Sequence, residues 1–155
     1  TVKAYLDEAT RAKPGRILDA SNGYAVVGEH RGVVYYTIGQ KKGLGLHQSH
    51  LERYVVDLRA ESNEVVVGTR EMCHWRVLEA DRRNFLTSDG HVPSRVEAQV
   101  RYRQKPEPAT LTLLDDDAFR LEFDDPQFAV AKGQSAVIYS GDRLLGGGVI
   151  RARAG

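Results

Sequence analysis

The stretch RILDASNGYAVVGE, residues 16–29, shows which secondary structure dominates the chain. Two largely apolar segments, 16–20 and 24–29, flank Ser21-Asn22-Gly23, and an Asn-Gly pair in that position is a strong signal for a β-hairpin turn. The pattern returns where segments 54–59 and 64–69 flank Ala-Glu-Ser-Asn. The first half of the sequence therefore predicts short strands joined by tight turns.

The rest of the chain continues in the same pattern. A strand is predicted at 33–38, and the apolar spacing of Val2, Tyr5, Leu6 and Ala9 predicts a short N-terminal helix. Regularly spaced strands predict a small barrel or sandwich in the second half, with segments at 76–80, 95–104, 109–114, 118–123, 134–140 and 143–150. We place a domain boundary where the alternation breaks, giving a central β domain at 1–72 and a C-terminal antiparallel β-barrel at 73–155.

Composition bounds the possible functions. The 155 residues are 41% hydrophobic and 28% charged, as in soluble globular proteins, and no apolar run is long enough for a membrane span. The single cysteine excludes an internal disulfide and a cysteine-rich metal site, and it favours a reducing cytoplasm. A net charge of +1 gives no global attraction to RNA or membranes, so any polyanion site must be a local patch.

Most reactive residue types form no recognisable catalytic or metal motif. The Gly/Lys loop at 39–45 lacks the Walker pattern, so a solvated turn between strands is the default interpretation. The five histidines have no zinc-site spacing and are interpreted as surface residues. Cys73 is interpreted as a partly buried structural residue, and the acidic run 115–117 as a solvated hairpin turn. We predict no catalytic residue and no metal site.

The segment SRVEAQVRYRQKPEPATLTLL, residues 94–114, is more informative. On a strand, its alternation would turn Val96, Ala98, Val100 and Tyr102 inward and a mostly basic face outward. A row of arginines beside a tyrosine suits phosphate contacts and stacking on a base, although an ordinary soluble sheet face has the same pattern. Further on, three consecutive glycines in LLGGGVI require close contact with a barrel neighbour or a ligand.

Several phrases together resemble the tRNA-specific 2-thiouridylases. They are PGRILDASNGYAVVGEHRGVVYYTIGQKKGLGL, VRYRQKPEPA and FDDPQFAVAKGQSAVIYSGDRLLGGGVI, and they span most of the chain from Lys13 to Ile150. The resemblance implies a cytoplasmic enzyme in which an N-terminal ATP-pyrophosphatase domain, using ATP with Mg, activates the wobble uridine. A cysteine persulfide then supplies the sulfur that replaces the C2 oxygen.

This chain resembles only the central and C-terminal domains of that enzyme. The pyrophosphatase loop and the catalytic cysteines are absent from it, and Cys73 lies in no cysteine motif of the family. The parent protein is thus expected to be a sulfurtransferase, whereas this chain alone is expected to bind tRNA without a cofactor and without catalysis. Sulfur-relay proteins are further expected partners, through the full-length enzyme.

The resemblance also implies a set of tRNA-binding residues. Arg101 and Tyr102 in VRYRQ match a tRNA-contact pair, and Gln134 in KGQSAV matches another contact position. Lys41 and Lys42 in GQKKGLG match a basic pair, and we expect them to touch the tRNA backbone. The segment HQSHLER, 47–53, departs from the family pattern, so no contact is assigned to it.

Two rival functions are open on the residues alone. A stand-alone barrel could bind a protein such as a sulfur carrier through the acidic segment 115–125. A small hydrolase using His30 or His47 ranks last, because no nucleophile and orienting acid accompany them.

Overall fold

The computed structural model describes residues 12–46, 52–87, 92–114 and 117–154. It is mainly β, as the sequence predicts, and it divides between Cys73 and His74 into two compact units. The predicted helix at 2–9, the histidines at 47, 50 and 91 and the acids at 115 and 116 lie outside the described residues. No helix in the described ranges has the length and apolar character that a membrane crossing requires.

The first unit contains a four-stranded mixed sheet in the order β2-β1-β4-β3. Its outer pairs, β1 with β2 and β3 with β4, are the two predicted hairpins, and β1 runs parallel to β4 in the middle. The core beneath the sheet includes Ile17, Val55 and Val65, which are fully buried. The strands are β1 (Gly15–Asp19), β2 (Ala25–His30), β3 (Tyr54–Arg59) and β4 (Glu64–Gly68).

The predicted strand at 33–38 is wrong. The chain instead forms a 3-10 turn at Val33–Tyr35, where the N–H of Tyr35 donates to the carbonyl of Gly32 at 3.1 Å. Gly32 itself has φ +141, a conformation that favours glycine. Val33, Tyr35 and Ile38 still pack against the core, so their apolar spacing reflects burial rather than strand geometry.

Two buried polar groups hold the loops of this unit. Asp19 accepts hydrogen bonds from the N–H and Oγ of Ser21 (2.9 and 2.5 Å) and from Nε of Arg53 (2.7 Å). Burial alone would raise the pKa of the Asp19 carboxyl, but the hydrogen bonds from Ser21 and Arg53 outweigh it and hold that pKa below its ordinary value of 3.8. The pair therefore ties the first hairpin to the start of β3.

His30 is the second of these groups, and its interpretation as a surface residue is wrong. It is buried, at 1% exposure, because it ends β2 beneath the turn that follows. Its Nδ1 accepts from the N–H of Gly32 at 3.0 Å, so Nε2 carries the proton and donates to the carbonyl of Asn63 at 3.1 Å. Both ring nitrogens are thus committed to backbone, which makes His30 a structural residue.

We predict that Asp19→Asn destabilises the first unit by about 3 kcal/mol at pH 7, since the largely buried Arg53, 13% exposed, loses its counter-charge. The folded-state pKa of Asp19 is lowered, so its stabilisation is present above the unfolded value near 3.8 and is lost as the pH falls through the folded value. The variant should accordingly lose less stability than the parent on acidification below about pH 4. Urea unfolding at neutral and acid pH measures both effects.

Asp57→Asn is the matched control, because Asp57 is 41% exposed and lies 3.8 Å from Arg59 on the same sheet. It should change the free energy of unfolding by less than about 1 kcal/mol. Equal losses in the two variants would contradict a special role for the buried pair.

The second unit is a closed six-stranded barrel in the order β10-β5-β8-β7-β6-β9. Every neighbouring pair is antiparallel, and Phe119, Phe123, Leu121 and Ile138 fill the interior. Several strands extend beyond the predicted segments, because pairing around a closed barrel continues past the apolar residues. They are β5 (His74–Phe85), β6 (Arg95–Gln99), β7 (Glu107–Leu113), β8 (Phe119–Phe128), β9 (Ser135–Ser140) and β10 (Arg143–Ala154).

Neighbouring strands explain the three consecutive glycines of β10. A Cβ atom on Gly147 would lie 2.3 Å from the carbonyl oxygen of Ala136 in β9, and one on Gly146 would lie 2.1 Å from that of Asn84 in β5. Gly148 is equally confined, with the carbonyl oxygen of Asp81 at 2.5 Å. Barrel neighbours, rather than a ligand, therefore supply the close approach that the sequence requires.

Gly147→Ala should destabilise the barrel by about 1–3 kcal/mol or more, because the new methyl group meets backbone that cannot move aside cheaply. Gly141→Ala is the comparison, since nothing lies near its Cβ position and only its φ of +56 opposes a side chain. That variant should lose about 1 kcal/mol. Thermal unfolding monitored by circular dichroism compares them, and a smaller loss for Gly147→Ala would contradict the packing explanation.

Candidate nucleic-acid interface

The basic segment after β6 is a turn, not the continuous strand that the alternation predicts. Strand β6 ends at Gln99, whose Nε2 donates to the carbonyl of Arg101 at 2.8 Å. The N–H of Gln104 donates to the same carbonyl at 3.2 Å, and Arg103 has φ +63. The inward position predicted for Tyr102 is therefore wrong, because the chain leaves the sheet before reaching it.

Arg101 is partly buried and held against an aromatic ring. Its guanidinium carbon lies 5.4 Å from the ring centroid of Phe128, at the end of β8, which is a cation–π arrangement. Its Nε is buried and has no hydrogen-bond partner among the described residues. Because the Nε atom is enclosed, an anion can approach this side chain only at the terminal amino groups of the guanidinium.

Tyr102 is 88% exposed, the highest value among the exposed large apolar and aromatic residues described. The guanidinium carbon of Arg103 lies 5.3 Å from its ring centroid. The turn thus presents a tyrosine ring beside cations on the surface. Unstacked bases of RNA bind aromatic rings of this kind, and arginine adds attraction for the phosphates around them.

Gln134 lies at the same end of the barrel as this turn. Strands β6 and β9 are antiparallel, with Gln99 opposite Val137, so the residues after β6 come next to those before β9. The carbonyl of Gln134 accepts from the N–H of Ile150 at 2.8 Å, which fixes its backbone while its side chain is exposed. The structure therefore brings Arg101, Tyr102 and Gln134 to one end of the barrel, which we name the β6–β9 rim.

Sequence reasoning assigned no role to two arginines of β10 at this rim. The guanidinium of Arg153 lies 4.5 Å from the Trp75 ring centroid and donates to the carbonyl of Val130, in the segment leading to Gln134. Arg151 and Arg120 both donate to Glu79, and the hydrogen bonds from Arg120 and then Arg151 lower the pKa of that carboxyl. The sequence feature that could have indicated them is the run of basic residues near the C-terminus, Arg143, Arg151 and Arg153.

Lys41 and Lys42 belong to the first unit and are not equivalent. The side chain of Gln40 shapes their loop: its Oε1 accepts from the N–H of Thr37 (3.0 Å) and its Nε2 donates to the carbonyl of Lys42 (2.9 Å). Lys41 forms an ion pair with Glu52, and that hydrogen bond raises the pKa of Lys41 above its ordinary value of 10.5. Lys42 is exposed and has no ion pair with any described residue.

The described residues offer no evident centre for chemistry. No group of three or more His, Cys, Asp or Glu among them is placed to hold a metal ion. Cys73 is fully buried, more so than predicted, with its Sγ 3.7 Å from the carbonyl oxygen of Val55. A thiol in that position is inaccessible to a substrate.

Two family models match the two units in turn. The one described as a tRNA methyl transferase PRC-barrel domain matches residues 3–69, and the one described as an aminomethyltransferase beta-barrel domain matches 75–150. The chain is 48% identical over 153 residues to the tRNA-specific 2-thiouridylase of Deinococcus radiodurans, and 49% identical over 150 residues to that of Thermus thermophilus. The chain belongs to the tRNA-specific 2-thiouridylase family.

The relatives are longer proteins. The matches cover 99% and 97% of this chain, but only 40% and 39% of the length of those two 2-thiouridylases. A third relative, from Carboxydothermus hydrogenoformans, is 47% identical over 91% of this chain and 38% of its own length. The 2-thiouridylase resemblance therefore extends over both units, and the chain spans about two fifths of the family's length.

Glu52→Gln should lower the pKa of Lys41 toward its ordinary value of 10.5, because the hydrogen bond from Lys41 to a charged carboxylate is its largest cause. A side-chain NMR titration of Lys41 measures this directly. An unchanged Lys41 titration would show that Glu52 does not compensate its charge.

Proposed function

We propose that this chain is the tRNA-binding and positioning portion of an ATP-dependent tRNA 2-thiouridylase, which replaces the C2 oxygen of the wobble uridine with sulfur. The observation that carries the proposal is the position of Arg101, Tyr102 and Gln134 at one end of the barrel, the β6–β9 rim. An enzyme that modifies one base of a folded tRNA has to orient a long polyanion, and contacts to phosphate and sugar provide orientation without reading sequence.

Each rim residue suits a different part of the RNA. Arg101 presents a guanidinium whose planar fork can make two charge-assisted hydrogen bonds to one phosphate. Tyr102 is exposed enough to stack on an unpaired base. Gln134 carries both a donor and an acceptor, which suits a ribose hydroxyl or a phosphate.

The two lysines of the first unit would contribute unequally. Lys42 is available to the tRNA backbone, whereas the charge of Lys41 is already balanced by Glu52. With so few phosphate contacts proposed, binding by this chain alone should be weak and sensitive to salt. Activation by ATP with Mg and transfer of sulfur from a cysteine would belong to other parts of the polypeptide, as would contacts with sulfur-relay proteins.

The rival interpretation, a docking surface for a protein at the acidic segment 115–125, is less well supported. Within its described part, Asp124 accepts two hydrogen bonds from Arg95 at 2.9 and 2.7 Å, which lower its pKa and balance its charge. Arg120 of the same segment donates to Glu79. A gel shift with tRNA and a pull-down with sulfur-relay proteins separate the two functions.

Arg101→Glu should weaken tRNA binding by about tenfold or more and reduce the salt slope by about 1, since one phosphate contact is lost and a repulsive charge is added. Fluorescence titration with a tRNA transcript at several salt concentrations measures both quantities. Arg143→Glu is the matched control, because it makes the same charge change at the far end of the barrel, in the β9–β10 hairpin. Equal effects of the two variants would remove Arg101 from the interface.

A further inference from the structure

An open groove of about 340 Å³ crosses the outer wall of the barrel over β9, β10 and β5. Its floor is the backbone of the three glycines at 146–148, which carry no side chains to fill it. Ser135 lies along one wall, and Arg82, Asn84 and Leu86 lie along the other. The volume is at the lower end of the range of about 300–1,000 Å³ for small-molecule sites, so it suits a ligand of modest size.

A β-bulge positions Arg82, the one charged side chain among the described residues that line the groove. The register of β10 with β5 shifts between Gly147, which faces Asn84, and Val149, which faces Asp81. Arg82 occupies this irregularity with φ +51, and its side chain is 76% exposed beside Asp81, 3.6 Å away. Bulges re-aim side chains, and a left-handed conformation at a non-glycine residue is retained where the surrounding structure imposes it.

The chemistry of the walls matches a nucleotide. Leu86 and Leu144 are exposed at 59% and 44% and offer apolar surface to the faces of a planar base. Asn84 and Ser135 offer hydrogen bonds to its polar edges, while Arg82 offers a cation to the phosphate. Among the described residues none with an acidic side chain lines the groove, although the Asp81 carboxylate lies 3.6 Å from Arg82 at its edge.

The position of the groove connects it to the rim. Ser135, on its wall, directly follows Gln134, so the groove begins where the proposed RNA contacts end. We propose that this groove binds one unpaired nucleotide of the RNA held at the β6–β9 rim, an inference that rests on the proposed function. Its base lies over the glycine floor, and its phosphate contacts Arg82.

NMR on this chain tests the site, because the backbone amides of glycines 146–148 report on the groove floor. Titration with a tRNA transcript should shift these signals together with those of Arg101, Tyr102 and Gln134. Inorganic polyphosphate is the control ligand and should shift the groove glycines much less than the tRNA does, since it offers a phosphate to Arg82 but no base to the glycine floor. Equal glycine shifts with polyphosphate would overturn the nucleotide assignment.

Arg82→Asn is the variant, because asparagine tolerates positive φ and the bulge is therefore retained. It should weaken tRNA binding about fivefold and reduce the salt slope by about 1, as expected for one phosphate contact. Arg95→Asn is the matched control, because it also removes an exposed arginine that pairs with an aspartate. Arg95 is 57% exposed, and neither its strand, β6, nor that of its partner Asp124, β8, lines the groove. Its affinity should change less than twofold, roughly the limit for a distant surface charge.

The outcomes separate this inference from the function on which it rests. Rim shifts without groove shifts would overturn the groove site and leave tRNA binding at the rim intact. The absence of shifts at both places would overturn the proposed function itself. Glycine signals that broaden with protein concentration in RNA-free samples would show that a second copy of the chain occupies the groove, which also overturns the inference.

Discussion

The close approach of three strands around glycines 146–148 is the constraint on which the barrel depends. Carbonyl oxygens of β5 and β9 lie within 2.1–2.5 Å of where side chains would begin, so β10 can pass between them only as glycine. This passage sets the register of β10 against both neighbours. The register then brings Ile150 against Gln134, whose carbonyl accepts the Ile150 N–H. The geometry of the rim follows from backbone packing elsewhere in the barrel.

Charge compensation separates the cations of this protein into two groups. Arg95, Arg120, Arg151 and Lys41 each have a carboxylate partner within hydrogen-bonding distance, and their charges serve mainly the fold and the local surface. Arg101 differs, because it contacts an aromatic ring and retains an unpaired donor. Since the net charge of the chain is only +1, attraction for a polyanion depends on such uncompensated groups.

Polar residues inside the first unit stabilise loops. Asp19 joins the first hairpin to Arg53, His30 bonds backbone groups on both sides of its ring, and Gln40 bonds the backbone of Thr37 and of Lys42. Buried polar groups are retained only when their hydrogen bonds are satisfied, and here the partners are mostly backbone atoms. Aspartate, histidine and glutamine are residue types that occur in catalytic sites, but here their hydrogen bonds to the backbone give them a structural role.

The sequence alone determined the β class, both hairpins of the first unit and the need for close packing around the three glycines, because turn chemistry and glycine requirements are local. The resemblance to the 2-thiouridylases predicted which residues contact tRNA. Tertiary structure alone decided that 33–38 turns instead of pairing, that His30 is buried, and that Lys41 faces Glu52. It also decided that Arg101, Tyr102 and Gln134 lie at one end of the barrel, since residues more than thirty positions apart come to the same rim only through strand pairing. The spacing of apolar residues indicates which side chains are buried. Which residues lie beside the end of a strand depends instead on how all the strands of the barrel pair.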